Sequence, residues 1–206
     1  GKEFERFVYR RVKKELASVL GLNGAKLKFR QGPRYYSKDR DTEIQFDISA
    51  ELFGAHSKRA AITVVIECKA YKKRIPVDDV EEFKAKLDQC FGKNVKGVMA
   101  ISGSAQEGAI KYAMSHGIAI VRIFPREQLG IIAFKVAPGV KPDELAAYYR
   151  SGAKKNVMGA LTNNRFRGLA SEHFVLDVFG MYKNAKYVAL SDLLRRLIGA
   201  KLTARR

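Results

Sequence analysis

Asp47, Glu67 and Lys69 are of the types, and at the spacing, that phosphoryl chemistry uses: Glu67 follows Asp47 by twenty residues, and Lys69 comes after one intervening residue. Hydrolysis of a phosphodiester needs a divalent cation to polarise the phosphoryl oxygen and deliver a water, and Mg²⁺ prefers hard oxygen ligands such as a pair of carboxylates. Mn²⁺ is the expected substitute. A lysine on the same strand face stabilises the charge that develops on phosphorus. The backbone carbonyl of Cys68 is a candidate further ligand. A Glu-x-Lys tripeptide also arises as an ordinary solvated ion pair, so the elements that carry it decide its weight.

Those elements have clear patterns. Ala61 to Lys69 is rich in β-branched residues and reads as a central strand, with Glu67 and Lys69 on one face and Ile66 and Cys68 on the other. Glu43 to Leu52 alternates Ile44, Phe46 and Ile48 against Glu43, Gln45 and Asp47, which predicts one strand with Asp47 facing away from the apolar row. Upstream, Phe4, Val8, Val12 and Leu16 mark an amphipathic helix over 2–20, with a stop at Gly21 and Gly24, then a short strand at 26–30 and a surface loop over 31–41. Downstream, Asp78 and Asp79 open a helix with Val80, Phe83, Leu87 and Cys90 inside. A strand over 95–101, a helix over 104–116 and a strand over 118–123 follow. This alternation implies right-handed crossovers and a partly parallel sheet. The expected order is α-β-β-β-α-β-α-β, a mixed central sheet flanked by helices, within a domain spanning 1–139.

Residues 140–206 are expected to form a basic, mainly helical extension, since they hold 13 Lys and Arg against 5 Asp and Glu. An edge strand is expected over 131–136, and helices over 143–150, 169–181 and 191–202, the last capped by Ser191.

Secondary candidates surround the carboxylates. Lys72, Lys73 and Arg74 follow the central strand and are placed to reach a phosphate backbone. Arg34, Tyr35 and Tyr36 combine a cation with stacking surface, although such a tyrosine pair packs on the fold as often as it meets a base. Ser102-Gly-Ser104 precedes a helix, where it caps the helix or holds a phosphate. His56, His116 and His173 stand apart, without ligand spacing, and read as structural.

The composition narrows the partner. Thirty-nine Lys and Arg against 21 Asp and Glu give a net charge of +18, a field that attracts a polyanion, with nucleic acid first because phosphate neutralisation releases counterions. No run approaches the roughly 20 apolar residues that span a bilayer, so no membrane partner is expected. The start lacks an apolar signal core, which points to the cytoplasm. Cys68 and Cys90 share no zinc pattern.

With these residues in view, the chain resembles the Asp…(Asp/Glu)-x-Lys nuclease superfamily and, within it, the Mrr-like restriction endonuclease catalytic domain. The resemblance rests on Gly1 to Glu5 opening the first helix, on Phe46-Asp47-Ile48, on Val65 to Lys69 followed by Tyr71 to Arg74, and on 97–101 with 104–113. It implies a restriction-endonuclease-like fold and metal-dependent cleavage of DNA, with Asp47 and Glu67 as metal carboxylates, Lys69 as the catalytic lysine and Glu5 as the glutamate brought by the first helix. Many Mrr-like domains carry glutamine where this chain has Glu67. A nucleic-acid-binding module of this fold without turnover, and a structure-specific junction or repair nuclease, are the alternative readings. Nucleases that cut both strands often pair as homodimers.

Overall fold

The computed structural model describes residues 1–20, 26–54, 57–131, 141–170 and 175–199. Its elements are α1 (Lys2–Leu20), β1 (Lys26–Gln31), β2 (Arg34–Ser37), β3 (Thr42–Gln45), β4 (Ile48–Phe53), β5 (Ala60–Lys69), α2 (Val77–Cys90), β6 (Val95–Ile101), α3 (Glu107–Ser115) and β7 (Ala119–Ile123). They continue as β8 (Leu129–Ile131), α4 (Pro142–Lys155), α5 (Val157–Thr162), β9 (Gly168–Ala170), β10 (Val175–Leu176), β11 (Val178–Tyr182), β12 (Ala185–Tyr187) and α6 (Leu190–Ile198).

The main sheet has seven strands in the order β1-β4-β5-β6-β7-β11-β12. β1, β4 and β5 form an antiparallel meander, whereas β5, β6 and β7 run parallel because helices α2 and α3 carry the chain back between them. β11 joins antiparallel to β7, and β12 to β11. The expected mixed sheet is present, and its last two strands come from beyond residue 140.

Each face of the sheet buries a separate core. On one face, Phe4, Val8, Val12 and Leu16 of α1 pack with Leu190, Leu193, Leu194 and Leu197 of α6 over Ile48, Val64 and Ile66. The four-residue spacing on α1 is the reason these side chains share one stripe. On the other face, Val80, Phe83 and Leu87 of α2 meet Ala109, Ile110 and Ala113 of α3 over Val65, Met99 and Ile101. Arg11 of α1 also grips Asp177 with both guanidinium ends, which fixes the entry to β11.

The structure departs from the sequence reading in several places. Residues 31–41 are not a loop: Arg34–Ser37 pairs with Thr42–Gln45 as a hairpin turned by Lys38 to Asp41. Residues 43–52 are not one strand, because the chain breaks at Phe46-Asp47. Ile44 and Phe46 join the core under α2, and Ile48 joins the core under α1. Helix α3 begins at Glu107, three residues later than expected, since the Ala105 and Gln106 N–H groups bond to Leu161 and Ile75 carbonyls. Where a helix over 169–181 is expected, the described residues form the strands β9, β10 and β11, while 171–174 lie outside the described residues. All five residues of β11 are buried, and a strand buried on both faces loses the alternation that distinguishes it from a helix. Helix α6 starts one residue before Ser191, with Ala189 at its cap and no side-chain capping bond. Residues 132–136 of the expected edge strand, and the stop at Gly21 and Gly24, lie outside the described residues; Leu129–Ile131 forms a strand beside β9.

The β2–β3 hairpin folds over the α2 face as a continuation of β1 and β4. Gly32, at φ 62°, makes the bend, and its N–H bonds to the Asp47 carbonyl at 2.8 Å while Phe46 N–H bonds to Pro33 at 2.9 Å. Tyr35 locks the hairpin down. Its ring meets Phe91 and Phe46 at 4.5 and 6.0 Å between centroids, and its hydroxyl lies 2.8 Å from both Ser49 Oγ and Glu51 Oε1, donating to the carboxylate and accepting from the serine.

Burial, with the Glu51 charge beside it, pushes the Tyr35 phenol up from 10.0 to about 12. A raised folded-state value means that the phenol's contribution to stability is complete below pH 10 and is lost as pH rises toward 12. Tyr35→Phe is expected to cost about 1 kcal/mol at pH 7, the usual worth of a hydrogen bond. It is also expected to lose less stability than the wild type between pH 9 and pH 11. Urea unfolding at these pH values checks this, and parallel declines in the two proteins would contradict it.

Candidate active site

Asp47 and Glu67 meet because β4 and β5 are antiparallel neighbours. Ile48 and Ile66 are the last paired residues of the ladder, so Asp47 and Glu67 each lie one step beyond. There β4 has already turned toward the hairpin, and the Cys68 N–H bonds to Asp47 Oδ2 at 2.7 Å. A side chain thus takes the acceptor place of a strand carbonyl.

Glu67 is only 9% exposed. Its Oε1 lies 3.5 Å from the Lys69 ammonium and 4.0 Å from that of Lys86 on α2. Lys69 is held from a second side by Asp79, also on α2, at 3.2 Å. Its ammonium sits 5.8 Å from the centroid of the Tyr71 ring, and the Tyr71 hydroxyl donates to Asp79 at 3.4 Å. Lys86 is braced by Glu82 at 2.7 Å.

The electrostatics follow from this crowding. Burial raises the pKa of Asp47, and the Cys68 N–H, Lys69 and Lys86 offset that rise only in part. Glu67 is raised by burial and then by the Asp47 charge, against the two lysines. Burial pulls Lys69 down, but Glu67 and Asp79 outweigh it, and the ammonium is held above its ordinary value. Burial and three nearby acids, Asp47, Glu5 and Glu67, push the Cys68 thiol far up, so it carries no thiolate chemistry at neutral pH.

Glu5 reaches the same region from α1. It lines a cleft of about 320 Å³ together with Arg6, Gln31, Gly32, Gln45 and Asp47. The cleft opens at the end of the sheet where the hairpin leaves it.

The flanking candidates divide. Lys72, Lys73, Arg74 and Arg34 are exposed. Tyr36 is 55% exposed, with its hydroxyl donating to Asp41 at 2.6 Å. Tyr35 is partly buried and taken up by the hairpin packing, its ring against Phe46 and Phe91. Ser104 is buried and donates to Asn164 Oδ1 at 3.2 Å, three residues ahead of α3, and caps no helix. His116 is exposed and stacked on Tyr112 at 4.0 Å, away from the carboxylates, while His56 and His173 lie outside the described residues.

Asp79 and Lys86 were not anticipated as site residues. They sit seven positions apart on α2, two turns along one face, immediately beside the buried Val80, Phe83 and Leu87. A helix that opens eight residues after Lys69 and carries an acid and a base at that interval is the signal that reveals them.

Among the described residues no group of three or more His, Cys, Asp or Glu side chains forms a metal cluster. Mg²⁺ is commonly held by one or two carboxylates, with waters and substrate phosphates completing the shell. Asp47 and Glu67 suit that demand: two hard oxygen donors side by side, both shifted toward protonation, leave unbalanced negative charge that a cation would relieve. Asp47 Oδ1 faces no described hydrogen-bond donor.

No described helix is long and apolar enough to cross a membrane. No curated protein and no solved structure matches the chain. A family of restriction endonucleases, that of the Mrr catalytic domain, matches residues 1–129, which hold Glu5, Asp47, Glu67 and Lys69. Matched over more than half of its length, this chain belongs to the family of the Mrr restriction endonuclease catalytic domain and has the fold of that family.

Proposed function

We propose that the chain is a divalent-cation-dependent DNA endonuclease in which Asp47 and Glu67 hold the cation, Mg²⁺ or Mn²⁺, and Lys69 stabilises charge on the phosphoryl group. The observation that carries this reading is the meeting of the two acids at the ends of adjacent strands with Lys69 3.5 Å from Glu67, in a chain of the restriction endonuclease family. When bound, the cation would polarise the phosphoryl oxygen and ease ionisation of the attacking water.

The residues divide the remaining work. Lys69 keeps its proton at neutral pH, because Glu67 and Asp79 hold its pKa up, so it acts as a donor to phosphate oxygen and not as a base. Asp79 and Tyr71 fix where that ammonium points. Glu5 lines the same cleft as Asp47, and its role in this reading is to position water on that side. The Cys68 carbonyl is a further candidate ligand, and the Cys68 N–H orients Asp47. Exposed Lys72, Lys73, Arg74 and Arg34, within a total charge of +18, supply affinity for the sugar–phosphate backbone whatever its sequence, and Tyr36 offers an exposed ring.

Asp47→Asn and Lys69→Ala are each expected to lower the rate of Mg²⁺-supported duplex cleavage by at least about 10²-fold, as removal of one preorganised charge does. Affinity measured by anisotropy with EDTA present should stay close to wild type, because it comes from many dispersed cations. Cleavage by Lys69→Ala at the wild-type rate would sink the enzyme reading, and a wild type that binds DNA but never cuts it would be a binding module. Supplying linear duplex, branched junction and single strand in the same assay decides the substrate class.

Lys86 offers a test by pH. Its charge lowers the Glu67 pKa, so Lys86→Met should raise that pKa further and make the ionised carboxylate available only at higher pH. The acid limb of the cleavage profile is expected to move to higher pH, with the alkaline rate retained. An unmoved acid limb would remove Lys86 from the site.

A further inference from the structure

Arg122, on β7, is the largest fully buried side chain among the described residues, at 1% exposure. Four of its five N–H groups are taken by backbone carbonyls: Ser102 at 3.3 Å, Ala160 at 2.8 Å, Asn163 at 2.9 Å and Phe166 at 3.3 Å. Its guanidinium stacks 4.4 Å from the centroid of the Phe124 ring. Among the described residues no carboxylate forms an ion pair with it, and the one charge that bears on it is another cation, Arg167. Carbonyl dipoles satisfy its hydrogen bonds but bring no counter-charge. A buried charge is ordinarily paired, because leaving it without an opposite charge costs several kcal/mol, on the order of its desolvation.

Arg122 is one of the residues that line a cleft of about 350 Å³, with Tyr71, Lys72, Ser102, Gln128, Asn164 and Arg167. The lining holds three cations and no acid. Ser102, Gln128 and Asn164 add neutral hydrogen-bonding groups. The cleft is built, not incidental. A Cβ on Gly103 would lie 2.8 Å from the Tyr71 carbonyl, so glycine is what lets the two walls close. The Asn164 amide donates to the Lys72 carbonyl at 3.0 Å and accepts from Ser104 at 3.2 Å.

The cleft also shares a wall with the candidate active site. Ala70 to Lys72 follow directly from Lys69, the Ser102 N–H bonds to the Lys69 carbonyl at 3.1 Å, and Tyr71 lies under the Lys69 ammonium. Ser102 and Gly103, the first two residues of a motif that caps no helix, therefore line an opening that holds three cations and adjoins the strand end of Lys69.

We propose that this cleft is a second phosphate site, which takes a backbone phosphodiester of the DNA next to the one presented to Asp47 and Glu67, with Lys72 and Arg167 in contact and Arg122 supplying buried positive charge behind them. The assignment rests on the nuclease reading for its ligand, and it gives the segment after residue 140 a part in holding substrate through Asn164 and Arg167. Bound here, the phosphodiester would supply the counter-charge that Arg122 lacks and fix the register of the strand across the site.

The test is a binding scan with EDTA present, so that it does not depend on cleavage. Duplexes carrying a single neutral methylphosphonate linkage at successive positions are titrated against wild type and Arg167→Ala, and the same duplexes are compared with and without a 5′-phosphate. Arg122 is left in place because its removal would strip four carbonyls of their donor. Wild type is expected to lose about tenfold in affinity at one linkage, the worth of one charge-assisted contact, and Arg167→Ala to lose clearly less at that linkage, where Lys72 still reaches the phosphate, while responding normally at the others. Identical scans for the two proteins would overturn the site. A gain from the 5′-phosphate alone, with no sensitive internal linkage, would overturn the backbone assignment in favour of a terminal phosphate. A protein that never cuts DNA but gives the expected scan would leave this site standing and remove the nuclease reading, and active cleavage with identical scans would do the reverse.

Discussion

The bond from the Cys68 N–H to Asp47 Oδ2 stands where β4 would otherwise have continued along β5. Because the carboxylate satisfies that N–H, the chain can leave the sheet at Phe46-Asp47 without stranding a buried donor, whose desolvation alone would cost about 1–3 kcal/mol. Departure from the sheet releases residues 33–46 to fold over α2, and the same bond fixes one oxygen of Asp47, a residue that lines the cleft beside Glu5. Had β4 run on regularly, Asp47 and Glu67 would have been an ordinary cross-strand pair of like charges, which is destabilising. The break converts an unfavourable pair into a site.

Two acids held together with little water need support, and α2 supplies it. Asp79 and Lys86 complete a cluster of three carboxylates and two ammonium groups, in which each lysine is shared and the balance is negative. The remainder of the molecule carries a large excess of positive charge. A local acidic centre in a basic protein suits the proposed pairing of a cation with a polyanion: a cation would be drawn to the carboxylates, and phosphates to the lysines and arginines around them. The cleft at Arg122 has the opposite local sign. The two lie on either side of the segment from Lys69 to Lys72, so the field changes sign within a few residues of one strand end.

The parts of this arrangement that were legible in the sequence are those with a regular period. The helix over 2–20 follows from four-residue spacing, and the strand over 61–69 from its run of β-branched residues, with Glu67 and Lys69 on a common face as alternation requires. The strand break at Asp47 was not legible, because Ile44, Phe46 and Ile48 obey a period of two although Ile48 serves a different core. Local alternation carries no record of which side of the sheet a hairpin folds toward. Tyr35 and Tyr36 read alike, yet one is locked to Ser49 and Glu51 and the other is open to solvent. Strand β11 was hidden for a different reason: buried on both faces between β7 and β12, it is apolar throughout and imitates a helix. The pairing of Asp79 and Lys86 with the strand residues depends on how α2 is rotated against the sheet, which is set by Val80, Phe83 and Leu87 meeting partners remote in sequence.

The strand order explains why the chain does not stop where its chemistry does. The residues proposed for catalysis all lie within 1–129, but β7, whose five residues are all buried and apolar except Arg122, would be an uncovered edge without β11, and such an edge invites pairing with other chains. β11 closes it, β12 follows with two of its three residues exposed, and α6 lays its leucines against α1, the helix that brings Glu5 to the cleft. The position of Glu5 is therefore tied to residues nearly two hundred positions away through a packed apolar face, while the 163–167 segment is tied to the Lys69 strand through Arg122 and Asn164. Both clefts are fastened by the part of the sequence that carries none of the proposed catalytic groups. In this molecule the geometry around the carboxylates and the completeness of the sheet are one physical requirement.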